Sequence, residues 1–200
     1  MPIPVRKVFW SLLAGSLLLA AAHLWVSLAP PVSPTGFRYD ALISAFNLEN
    51  EANLPNWYAT ILLFSITLAS LVIFYLRRGG SKWAVFWLGF AVIFLLLSLE
   101  EAAQLREVLF HTFFLPAIAA IYLPLGLLLV IGVGVYFFII KRTDRPLQGW
   151  IISGLVVFVL GGVGGGRLHF PIVVKEWLEM FGEILVLCGC LREMNVLLRK

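Results

Sequence analysis

The sequence predicts an all-α integral membrane bundle of six helices, with the N-terminus and C-terminus both cytoplasmic, and three observations lead there. The 200 residues are 61% hydrophobic and 13% charged, and that charged share is about half of what a soluble domain carries. The apolar residues are gathered into runs close to the roughly 20 residues that cross a hydrocarbon core. The charges between those runs alternate in character, basic in some connections and acidic in others. With a mean hydropathy of +0.97, the composition excludes a soluble globular enzyme, a disordered chain and a nucleic-acid-binding domain, despite the pI of about 9.3. Two cysteines exclude a disulfide-rich scaffold.

The expected helices are residues 8–29, 57–76, 83–112, 115–140, 147–166 and 176–196, within one membrane domain spanning 1–200. The first follows Arg6 and Lys7. Its apolar run exceeds the roughly 7–15 residues of a secretory h-region, so a retained helix is expected. An outer loop, 30–56, opens on Pro30, Pro31 and Pro34 and includes a short helix near residues 41–46. Pro55 and Trp57 mark the next helix start, proline in the first turn and tryptophan as an interface anchor. The third helix continues past Leu99 because Ala102, Ala103, Gln104 and Leu105 favour helix and no breaker intervenes. Pro116 opens the fourth, and Pro124 predicts a kink within it.

Six crossings with the N-terminus inside sort the charges into +9 in the inner segments and −5 in the outer ones. That is a positive-inside distribution, and it makes the basic pI a matter of orientation against an anionic inner leaflet. The implied partners are the lipid bilayer and a larger membrane complex, with no nucleic acid. The expected location is the bacterial cytoplasmic (inner) membrane.

The outer acids carry the chemistry. Glu100, Gln104, Glu107 and His111 are spaced by four, three and four residues, which places them on one helix face, while Glu101 points about 100° away. Glu176, Glu179 and Glu183 repeat the pattern on the last helix, descending about 10 Å at 1.5 Å per residue. His23 and His169 belong to the same side. Glu100, Glu107, His111, Glu179 and Glu183 form a candidate metal site, since carboxylates and imidazole bind Zn²⁺, Fe²⁺ or Mn²⁺. Gln104, Glu101, Glu176, His23 and His169 complete the polar cluster. The same groups suit a proton relay, or the wet ends of helices with Glu176 and Glu179 near a helix N-terminus. Neither paired Glu-x-x-His nor His-Glu-x-x-His is present, and no cofactor motif is legible.

Glycines run from Gly161 to Gly166, broken by Val163, with four-residue spacings that suit close helix packing. Cys188 and Cys190 fall about 200° apart on a helix and act as small apolar residues.

Phe46-Asn-Leu-Glu49, Asn53-Leu-Pro-Asn-Trp57, Leu97-Ser-Leu-Glu-Glu101 and Trp177-Leu-Glu-Met-Phe-Gly-Glu183 resemble a group of uncharacterised bacterial multi-pass membrane proteins. The resemblance spans residues 37 to about 190. In that group the third helix carries Asp/Glu-Glu followed by His-Glu. Glu100, Glu101 and Glu107 match the acids, whereas Arg106 stands at the histidine-like position. The resemblance implies no established activity. Three functions are therefore expected, in order: a structural or accessory subunit of a membrane complex, a proton- or ion-coupled transporter using the Glu/His cluster, and a metal-dependent membrane enzyme.

Overall fold

A computed structural model of the protein describes residues 2–28, 43–47, 53–79, 83–103, 145–167 and 170–199. Five long helices account for most of them: α1 (Val5–Leu28), α2 (Leu54–Arg77), α3 (Trp83–Ala103), α4 (Arg145–Arg167) and α5 (Ile172–Leu197). A single helical turn covers residues 43–46. The fold is all-α, as expected.

Among the described residues three helices, not six, are long and apolar enough to cross a membrane: Val5–Leu28, Leu54–Arg77 and Ala84–Ala103. The expectation of a six-helix membrane bundle is corrected accordingly. Two of the expected crossings, 147–166 and 176–196, correspond to α4 and α5. The apolar part of α4 is the shorter Gly149–Gly162, and α5 carries acids and bases along its length. Its interior position accounts for that composition. Helix α5 packs on α4, α2 and α1, so its neighbours are side chains that can satisfy polar groups, and a uniformly apolar surface is not required of it. The placement of both termini in the cytoplasm rested on the count of six and falls with it. The expected helix 115–140 and the extension of the third helix to residue 112 lie outside the described residues.

The outward faces of α1, α2 and α3 are aliphatic, with Leu18 70%, Ile61 60% and Val85 73% exposed. Such surfaces are stable where the solvent is hydrocarbon. Serines and threonines within α2 spend their hydroxyls on their own helix: Ser65, Thr67 and Ser70 donate to the carbonyls of Ile61, Leu63 and Ile66 at 2.7, 3.1 and 2.7 Å. This leaves no hydroxyl of these three to be solvated by lipid.

Helices α2 and α3 form an antiparallel hairpin, and Ser98 Oγ stitches it by donating to the Thr60 carbonyl at 3.1 Å. An aromatic ladder runs up α3, with Phe86 on Phe90 at 5.6 Å and Phe90 on Phe94 at 4.7 Å between centroids. These are the one-turn pairs that helical spacing brings together. The core joins Ile66 and Ile73 of α2, Trp87 and Phe94 of α3, Ile151 of α4 and Ile184 of α5.

Helices α4 and α5 approach through glycines. A Cβ on Gly154 would lie 2.7 Å from the Gly182 carbonyl oxygen, and one on Gly182 would lie 2.6 Å from the Phe158 amide nitrogen. No side chain fits between backbones that close. Helix α1 is anchored at its start, where Asn195 accepts from the Ile3 N–H at 2.7 Å and donates to the Ile3 carbonyl at 2.8 Å. Farther along, Tyr58 Oη donates to the Leu12 carbonyl at 2.6 Å.

Candidate functional site

The start of α2, the end of α3 and the start of α5 meet at one end of the bundle. Asn53 fixes the first of these. Its side-chain oxygen accepts from the Asn56 N–H at 2.7 Å and its amide donates to the Asn47 carbonyl at 3.0 Å, capping one of the free amides of a helix start. Pro55 occupies the first turn, where the absence of an N–H costs nothing.

Three helical stripes then enclose a cavity of about 60 Å³. Pro55, Ala59 and Leu63, four residues apart, supply the α2 wall, and Leu97, Glu100 and Glu101 supply the α3 wall. From α5 come Glu176, Glu179, Met180 and Glu183, and α4 contributes Phe158. Five glutamates therefore share one small space. It has room for a few waters and is far below the roughly 300 Å³ at which organic-ligand pockets begin.

The deepest acid is Glu183. It is 2% exposed, and its Oε2 is buried without a hydrogen-bond partner. The charges of Glu101, Glu179 and Glu176 all act on it. Nearer the start of α5, Lys175 Nζ lies 2.9 Å from Glu176 Oε1 and 3.9 Å from Glu179 Oε1. Burial works against the Lys175 ammonium, but Glu179 and then Glu176 outweigh it and hold the group above the usual lysine value.

Glycine also shapes this site. A Cβ on Gly161 would fall 2.6 Å from Glu179 Cγ and 2.9 Å from the Glu179 amide nitrogen, so its missing side chain is the space that Glu179 occupies. The glycine run was expected to serve close packing, and at Gly161 that close approach also seats an acid.

Of the expected site residues, Glu100, Glu101, Glu176, Glu179 and Glu183 line the same cavity. Gln104, Glu107, His111 and His169 lie outside the described residues. His23 is buried on α1 with Nε2 3.3 Å from Ser27 Oγ and is not among the lining residues. Among the described residues, no group of three or more His, Cys, Asp or Glu side chains is arranged to hold a metal ion. The apolar half of the lining was not anticipated, although the four-residue spacing of Pro55, Ala59 and Leu63 would have revealed it once a facing acidic stripe was assumed.

Residues 11–194 match a family described as a domain of unknown function, DUF8692. The chain belongs to that family. No curated protein and no solved structure matches it. The matched region includes all five cavity glutamates, so the acidic site lies within the family's domain and not on an appendage to it. The protein is a small all-α polytopic membrane protein, with several helices able to span the bilayer in which it resides.

Proposed function

We propose that this membrane protein is proton-coupled: a proton is taken up by Glu183 in the five-glutamate cavity. One observation carries the reading. A carboxyl group that is 2% exposed, with an oxygen lacking a hydrogen-bond partner, faces a cavity lined by four further glutamates. An ionised carboxylate in such a place costs several kcal/mol, and a bound proton removes that cost. Ionisable groups inside a membrane domain are functional by default.

The cavity volume suits a coupling proton and not a transported organic solute. Glu176, Glu179 and Lys175 form a charged approach from the start of α5, and Glu100 and Glu101 face it from α3. An accessory subunit has no need of a buried carboxyl beside other acids, so the cavity moves the proton-coupled reading ahead of it. The proposed setting is a bacterial cytoplasmic membrane, across which a proton gradient would drive the uptake.

Reconstitution of the full-length protein into liposomes with a trapped pH dye tests this. After an imposed pH step, the wild type collapses the gradient faster than empty liposomes. Glu183→Gln returns the rate to that of empty liposomes, and Glu176→Gln slows it. Unchanged flux in Glu183→Gln would overturn the assignment.

A further inference from the structure

At the opposite end of the bundle a second concavity opens, separate from the glutamates and independent of the function proposed for them. Its volume is about 490 Å³, within the roughly 300–1,000 Å³ range of small-molecule sites. Its wall is built by the pairing of Asn195 with both backbone groups of Ile3, which lays the chain entering α1 against the end of α5. Phe9 forms the floor, packed edge-on against Trp10 at 5.2 Å and Trp150 at 5.4 Å. Arg6 and Arg192 stand at its rim, and no acid is among the described residues that line it. The nearest acid in sequence, Glu193, is buried and ion-paired with Arg77, so it does not neutralise the rim.

We propose that this groove is a binding site for one anionic phospholipid, the phosphate held by Arg6 and Arg192 and the glycerol and upper acyl chain laid on Phe9, Trp10 and Trp150. Charge complementarity and surroundings commit the site to a lipid. Guanidinium groups grip phosphate oxygens in pairs, and basic pockets between membrane helices select anionic headgroups. Tryptophan side chains sit by preference at headgroup depth, and Trp10 is 56% exposed where a chain can lie against it. A free phosphate would use the arginines and leave the aromatic floor idle.

The tryptophans provide the readout. The detergent-purified full chain is titrated with phosphatidylglycerol or phosphatidylcholine carrying brominated acyl chains, which quench indole fluorescence on contact. The wild type binds the anionic lipid at least tenfold more tightly than the zwitterionic one. Arg6→Gln/Arg192→Gln loses that preference and Arg6→Lys/Arg192→Lys, which keeps the charge without the planar fork, weakens it, whereas Arg199→Gln keeps most of it. Trp10→Phe/Trp150→Phe loses the saturable quenching while the other tryptophans remain. Equal quenching by the two lipids in the wild type would overturn the proposal. So would an equal loss in Arg199→Gln, which would mean a diffuse charge effect, or displacement of phosphatidylglycerol by millimolar inorganic phosphate.

Discussion

Glu193 and Lys175 show what a charge inside this bundle requires. Glu193 is 2% exposed and paired with Arg77, and removing one partner from such a pair costs about 3–5 kcal/mol because the survivor is left buried and alone. Arg77→Met is therefore expected to lower stability by about that amount, and Arg77→Met/Glu193→Met to recover most of it, as read from unfolding in mixed micelles. Lys175 ties stability to pH. Its folded value is held above the ordinary 10.5 by Glu179 and Glu176, against burial. The stabilisation is thus complete below the unfolded value and is lost as pH rises through the folded one. Through Lys175, Tm should not vary with pH near neutrality and should fall on the alkaline side, with a shallower alkaline fall in Lys175→Met. The acids at spacings of three and four were legible in the sequence because helical period alone puts them on one face. The Arg77–Glu193 pair was not, because residues 116 positions apart meet only through the packing of α2 on α5.

Among the elements, the α4–α5 hairpin depends most on a few positions. Gly154 and Gly161 are seven residues apart, as are Gly182 and Gly189, and each would place a Cβ within 3.0 Å of the opposite helix. The four-residue pairs around Gly161–Gly166 stand out in the sequence, whereas the seam in the fold repeats every seven residues, the repeat of a left-handed helix pair. Gly182→Ala should destabilise by about 1–3 kcal/mol or more, the cost of forcing extra atoms into a filled interior. Gly89→Ala on α3 has nothing within 4 Å and should be neutral or stabilising by about 0.5–1 kcal/mol through helix propensity. If the two substitutions have equal effects on the unfolding midpoint, the close-approach account of the hairpin is wrong. Helix α5 explains why counting apolar runs misled at this scale. Its composition answers to protein on several sides, so a rule written for lipid-facing helices misjudges it.

At the scale of the molecule, polar chemistry is divided between two ends joined by an apolar body. Composition made the membrane setting legible, since aliphatic faces such as those around Leu18 and Val85 are stable where the solvent is hydrocarbon. It did not make the cavity legible, because Glu183 acquires its character from α2, α3 and α4 closing around it. On the proposed function, Glu183 takes up and releases a proton inside the folded protein. Infrared difference spectroscopy of the reconstituted protein across a pH titration tests it most directly. A carbonyl stretch of a protonated carboxyl should grow as pH falls, reverse as it rises, and be missing from Glu183→Gln while persisting in Glu176→Gln. A band of full intensity in Glu183→Gln would contradict the account.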